Sequence, residues 1–159
     1  MSIRSDKAVK LFREGYNCSQ AVSAAFCDIT GMDEDTALKT ASSFGGGMGR
    51  LREVCGAVTG MFMAAGMLYG YSDPSDKAAK DRHYRLIRML AERFRRENGS
   101  VVCRELLSLP SGASSPVSEE RTQEYYKKRP CTELVRCAAE ILDDYIEKEK
   151  NDHENSSSK

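Results

Sequence analysis

The stretch Val54–Tyr71, VCGAVTGMFMAAGMLYGY, decides the fold of this chain. It carries no charge and contains the pairs Gly56-x-x-x-Gly60 and Gly66-x-x-x-Gly70. A membrane span of this length would be at the short end of the usual range, and its Gly, Thr and Tyr residues insert weakly. We therefore predict a central helix that its neighbours bury, with glycines that allow close helix packing and methionines that fill irregular gaps.

The rest of the chain is also predicted to be helical, because apolar residues recur every three or four positions. Asn17 and Gln20 form a capping-box pattern, Asp33 precedes another helix, and Asp73-Pro74 is a typical helix start. A length of 159 residues fits one domain. We predict an all-α fold with five or six helices packed around the Gly/Met-rich central helix, a single domain over residues 1–150, and a polar disordered tail over 151–159.

The charge balance argues against general binding to nucleic acid or a membrane surface, because 24 Lys+Arg face 24 Asp+Glu. A basic run at residues 77–96 and an acidic run at 133–154 are interpreted as solvated faces. The N-terminus lacks the apolar segment of a secretory signal. A cytoplasmic location is therefore expected, where structural disulfides are rare.

The six cysteines are the strongest chemical signal. No Cys-x-x-Cys pair exists, so neither a thioredoxin-type motif nor a common zinc-finger spacing is present. Helix starts favour a thiolate, because free backbone N–H groups and the helix dipole stabilise negative charge there. Cys27 and Cys137 are predicted to be buried, inert thiols inside helices. The other four lie near predicted helix starts: Cys18, Cys55, Cys103 and Cys131.

A glycine-rich loop directly precedes the central helix. Such a loop brings backbone close to another group or requires positive φ angles. It follows a helix and lacks the Gly-Lys-Ser/Thr end of a P-loop, which argues against a phosphate cradle. We predict instead that it lets a cofactor, small thiol or partner reach the sulfurs. His83 falls on the predicted core face of its helix. The glycines assigned to this binding role are Gly45, Gly46, Gly47, Gly49 and, in the helix, Gly56.

Five segments together resemble a known family. They are NCSQAV at 17–22, FGGGMG at 44–49, VCGAVTG at 54–60, CREL at 103–106 and Pro130-Cys131. In order and spacing they resemble the small bacterial and archaeal proteins of the C_GCAxxG_C_C family, over about residues 5–148 of this chain. Members of that family are described as redox-active, with four signature cysteines. The resemblance implies that these are Cys18, Cys55, Cys103 and Cys131, and it leaves Cys27 and Cys137 outside the pattern.

Three functions stay open from the sequence. The four cysteines could perform thiol/disulfide exchange or electron transfer with an unknown redox partner or small thiol. They could instead ligate Zn²⁺ or an iron–sulfur cluster. The third alternative is a non-enzymatic helical interaction or small-molecule-binding module that uses cysteine as a small apolar residue. A homodimer would bury any apolar patch left on the central helix, but the sequence does not fix the oligomeric state.

Overall fold

The computed structural model describes residues 2–158, which form a helical domain. The helices in chain order are α1 (Ile3–Arg13), α2 (Cys18–Ala25), α3 (Cys27–Thr30), α4 (Glu34–Ala41), α5 (Gly45–Met48), α6 (Gly56–Tyr69), α7 (Lys77–Asn98), α8 (Cys103–Leu106), α9 (Gln123–Lys128) and α10 (Cys131–Ser157). Six of these have eight or more residues. Over the described residues the only β pairing is an isolated bridge between Val54 and Val102. The predicted all-α class is confirmed.

Helix α6 is the central helix that the sequence predicts. It packs against α2, α7 and α10, and Val58 and Met61 in it are fully buried. At Gly60 a methyl group would lie 2.6 Å from the carbonyl oxygen of Ser19 in α2, so the two helices touch through their backbones. The predicted close approach at the first glycine pair is confirmed. No helix in residues 2–158 is long and apolar enough to cross a membrane.

The N-cap of α2 is the residue that the sequence predicts, whereas the N-cap of α7 is a different residue from the predicted one. Asn17 accepts a hydrogen bond from the Gln20 amide at 2.9 Å, and the Gln20 side chain accepts one from the Asn17 amide at 3.0 Å. Helix α7 begins at Lys77 with Asp76 as its cap, so the predicted start at Asp73 is wrong. The reason is local: the Asp73 carboxylate is bonded to the amide and hydroxyl of Ser75 and forms a turn before the helix.

Helix α10 packs against α1 and α7. Arg4 in α1 bonds Asp143 in α10 at 2.6 Å, and Arg93 in α7 bonds Asp144 at 2.6 Å. The basic and acidic helices therefore lie beside each other. Helix α10 continues to Ser157, through most of the segment predicted as a disordered tail, and every described side chain from residue 151 onwards is exposed. Residue 159 lies outside the described residues.

Candidate functional site

One cavity collects the cysteines that the sequence places at helix starts. It has a volume of about 250 Å³ and opens to solvent beside the glycine-rich loop. All four signature cysteines line it, although they are far apart in sequence. The five glycines assigned to binding line it as well. These residues are Cys18, Cys55, Cys103, Cys131, Gly45, Gly46, Gly47, Gly49 and Gly56.

Each of the four cysteines lies at the start of a helix. Cys18, Cys103 and Cys131 are the first residues of α2, α8 and α10. Cys55 is the N-cap of α6, and the backbone N–H groups of Ala57 and Val58 lie near its sulfur. Free N–H groups at these helix starts therefore surround the cavity.

A short backbone ladder brings Cys55 and Cys103 together. The Cys55 amide donates to the Val101 carbonyl at 2.8 Å, and the Cys103 amide donates to the Glu53 carbonyl at 2.6 Å. These bonds flank the bridge between Val54 and Val102. The pairing ties the start of α8 to the start of α6, so the two cysteines keep a fixed spacing.

The glycine loop is a left-handed turn. Residues 46–50 all have φ between 59° and 66°, including the non-glycine residues Met48 and Arg50. This conformation costs about 1–2 kcal/mol for each residue with a side chain, which explains why glycines dominate the segment. A methyl group on Gly47 would lie 2.7 Å from Cβ of Cys103. The turn therefore presses its backbone onto a cysteine of the cavity.

Cys18 and Cys131 are neighbouring thiols in the cavity. The contact with Cys18 lowers the pKa of Cys131. Nearby guanidinium groups of Arg129, Arg121 and Arg52 lower it further, against the opposing effect of burial. The same contact and its enclosed position raise the pKa of Cys18 well above its ordinary value. The arginines distinguish the two thiols, because they favour negative charge on Cys131.

The other two cysteines favour the protonated form. Burial raises the pKa of Cys55 to about 12, against the opposing effect of the nearby backbone N–H groups. Burial also raises the pKa of Cys103, against the hydrogen bond from Arg52, whose Nη1 lies 3.6 Å from the Cys103 sulfur. Of the four cavity cysteines, Cys131 alone has a lowered pKa.

Arginines are the functional residues that the sequence analysis missed. Arg50, Arg52, Arg121 and Arg129 all line the cavity, with Glu119 as the single carboxylate of the lining. Tyr125 makes cation–π contacts with two of them: its ring centre lies 4.8 Å from the Arg121 guanidinium carbon and 5.0 Å from that of Arg129. Their positions in sequence carried a usable signal: two follow the glycine loop directly, and Arg129 precedes Pro130-Cys131.

The Ser/Pro/Gly segment at 108–118 does more than connect helices. Ser114 Oγ accepts a hydrogen bond from Arg52 at 2.8 Å, and the Ser115 carbonyl accepts one from Arg50 at 2.5 Å. Pro116 and Ser118 belong to the cavity lining. The segment therefore forms one wall of the cavity.

Cys27 and Cys137 lie away from the cavity lining, and the prediction that both are buried inside helices is wrong. Cys27 begins α3, because α2 ends at Ala25, and it is partly exposed. Cys137 is inside α10 but is also partly exposed, with Asn98 and Glu97 side chains 3.2 Å from its sulfur. His83 in α7 is half-buried, packs beside Tyr71 from the preceding segment, and does not line the cavity.

All six cysteines are free thiols in the structure. Within residues 2–158, no group of three or more His, Cys, Asp or Glu side chains has a geometry that could hold a metal ion. The cysteines thus share a cavity without converging on one point. What the arrangement offers chemically is a set of neighbouring free thiols in a cavity lined by arginines.

The fold and cavity define a class of protein, a helical domain in which thiols from separate helix starts share one basic cavity. The chain belongs to the C_GCAxxG_C_C family, whose model, described as "Putative redox-active protein", matches residues 16–145. The resemblance stated from the sequence is confirmed. A redox-active description agrees with the coarser part of the predicted function. Neither the curated proteins nor the solved structures contain a match to this chain.

Proposed function

We propose that the domain performs thiol–disulfide exchange, with Cys131 as the nucleophile and Cys18 as the resolving thiol. The observation that carries the proposal is that Cys18 and Cys131 line the same cavity next to each other, with the guanidinium groups of Arg129, Arg121 and Arg52 near Cys131. In the proposed resting state the Cys18 thiol donates a hydrogen bond to a Cys131 thiolate, which the arginines stabilise. A thiolate is the attacking species in exchange, and a neighbouring thiol is needed to release the product.

The reaction has two steps. The Cys131 thiolate attacks a sulfur of a substrate disulfide, forms a mixed disulfide and expels the first substrate thiolate. Cys18 then loses its proton, attacks the Cys131 sulfur and expels the second thiolate, which leaves a bond between Cys18 and Cys131. The substrate disulfide gains two electrons from the cysteine pair and leaves as two thiols, one of which takes the proton of Cys18 and the other a proton from solvent. A dithiol reductant restores the pair by the reverse exchange.

Cys55 and Cys103 form a second, protonated pair in the same cavity. Their raised pKa values make them slow nucleophiles near neutral pH. All four sulfurs line the same cavity. Their position suits them to accept the oxidised state from the first pair.

Two variants of Cys18 test this assignment. Cys18→Ala removes the hydrogen-bond donor, so the pKa of Cys131 rises and its alkylation at neutral pH slows. Cys18→Ser is the matched control, because its hydroxyl still donates to the sulfur and keeps Cys131 faster than in the alanine variant. Both variants lack the resolving thiol and accumulate the mixed disulfide at Cys131. The measurements are iodoacetamide rates against pH and peptide mass spectrometry after disulfide treatment.

The assignment fails if Cys131 alkylates no faster than Cys55 and Cys103 in the unmodified protein. It also fails if oxidation joins other cysteines and leaves Cys18 and Cys131 reduced. Near-stoichiometric metal in anaerobically purified protein, with all four cavity thiols protected from alkylation, would establish the metal site instead. Metal analysis on the same sample decides between these outcomes.

A further inference from the structure

The charge of the cavity selects its substrate. Among the lining residues the four arginines face one carboxylate, which leaves a net charge of +3 around the thiols. Glu119 is already engaged, since it contacts both Arg50 and Arg129. In the described chain, neither Arg52 nor Arg121 forms an ion pair with a carboxylate. Two guanidinium charges at the cavity therefore lack a protein counter-ion.

Arg52 is the most constrained of these groups. Only 3% of its surface is exposed, and its backbone has a positive φ of 62°. Its guanidinium bonds the Ser114 hydroxyl and approaches the Cys103 sulfur, both neutral groups when Cys103 is protonated. A buried charge without a partner is costly, so a fold retains it where an anion compensates it. Here the compensating anions are the Cys131 thiolate and a ligand in the cavity.

Arg121 and Arg129 add further positive charge to the cavity lining. Arg121 is held over the rings of Phe12 and Tyr125 and donates to the carbonyl oxygens of Phe12 and Tyr16. Stacking fixes the guanidinium without neutralising it. A planar guanidinium fork in this state matches a carboxylate with two hydrogen bonds.

We propose that the substrate of this site is a small anionic disulfide, a low-molecular-weight disulfide that carries carboxylates near its sulfur atoms. This inference rests on the thiol-exchange function proposed above and adds the substrate class. The Cys131 thiolate breaks the substrate S–S bond, as before, while Arg121, which has no carboxylate partner in the described chain, binds the carboxylate that flanks the attacked sulfur. A cavity of about 250 Å³ suits a small molecule rather than a folded protein partner.

A charge series of disulfides tests the substrate class. The probes are 3,3′-dithiodipropionate, which is a dianion, bis(2-hydroxyethyl) disulfide, which is neutral, and cystamine, which is a dication. For each probe, the rate at which it oxidises Cys131 is divided by the rate at which the same probe oxidises an uncharged reference thiol. Differences in the intrinsic reactivity of the three disulfides then cancel. Charge attraction in a cleft predicts a normalised rate about tenfold higher for the dianion than for the neutral probe, and the lowest rate for the dication.

Variants and salt identify the groups responsible. Arg121→Gln raises the pKa of Cys131 and slows every probe, and the lost carboxylate binding also reduces the ratio between dianion and neutral probe. That ratio also falls as ionic strength rises. Arg88→Gln is the matched control, because Arg88 is an exposed arginine of α7 outside the cavity lining, and it leaves the ratio unchanged.

The outcomes separate the two proposals. Equal normalised rates, or a preference for the neutral or cationic probe, in the unmodified protein overturn the anionic substrate class and leave thiol exchange standing. Failure of all three probes to oxidise Cys18 and Cys131 overturns thiol exchange itself, and the substrate class with it. The series uses the unmodified protein, so neither result depends on how well an arginine variant folds.

Discussion

The contact between α2 and α6 predicts opposite effects for one substitution at two positions of the same helix. In Gly60→Ala the new methyl group would lie 2.6 Å from the Ser19 carbonyl oxygen and 3.1 Å from Cβ of Val22. In Gly66→Ala it would meet no atom within 4 Å. Both residues lie inside α6, so both substitutions gain the same helix propensity. Their comparison isolates the steric contribution.

The magnitudes follow from that comparison. Replacing glycine by alanine inside a helix stabilises it by about 0.5–1 kcal/mol, which is the whole effect expected for Gly66→Ala. Gly60→Ala adds an overpacking cost of about 1–3 kcal/mol, because a backbone carbonyl cannot rotate away as a side chain could. The free energies of unfolding of the two variants should therefore differ by about 1–3 kcal/mol, with Gly66→Ala the more stable.

Urea unfolding followed by circular dichroism measures this difference. Gly60→Ala should also slow the alkylation of Cys131, since it displaces Ser19 and with it the adjacent Cys18, whereas Gly66→Ala should leave that rate unchanged. If Gly60→Ala is as stable as Gly66→Ala, the close backbone contact between α2 and α6 does not exist. If the stability falls and the alkylation rate stays the same, Cys18 does not depend on this contact.

Three further measurements probe the site's supports. Gly47→Ala should destabilise the fold more than Gly49→Ala in thermal melts: both have positive φ, costing about 1–2 kcal/mol each, but only Gly47 would also place Cβ 2.7 Å from Cβ of Cys103. Asn17→Ala removes the α2 cap and should lower the free energy of unfolding by about 1 kcal/mol in urea titration, and an unchanged midpoint would contradict the capping role. The pKa of about 12 for Cys55 lies above the unfolded value of about 8.5, so the folded state keeps a proton that the unfolded state loses. Stability should therefore fall between those pH values by up to about 1.4 kcal/mol per pH unit, with a shallower slope in Cys55→Ala.

Much of the fold could be predicted because its signals are local. The capping box at Asn17 and Gln20 needs only adjacent residues, and the structure forms both of its hydrogen bonds. The start of α7 was misplaced because Asp73 and Asp76 are both good caps, and the hydrogen bonds of Asp73 to Ser75 decide between them. The end of α10 was misplaced because polar composition alone does not terminate a helix.

The candidate site could be predicted only in part. The four cysteines were identified from their nearness to helix starts, a property that the chain displays locally. Which of them is the thiolate depends on neighbours that are distant in sequence. Cys131 differs from Cys18 because the guanidinium groups of Arg129, Arg121 and Arg52 lie near it and lower its pKa.

By itself, the sequence determined an all-helical domain built on a glycine- and methionine-rich helix, and it determined which cysteines lie near helix starts. Periodicity, caps and glycine spacing act over a few residues, so they can be inferred without a fold. Only the tertiary structure decided that those helix starts face one cavity, that four arginines surround it, and that the loop at 108–118 forms its wall. Burial, charge and hydrogen bonding between distant segments set the protonation of each thiol, and these exist only after the helices have packed.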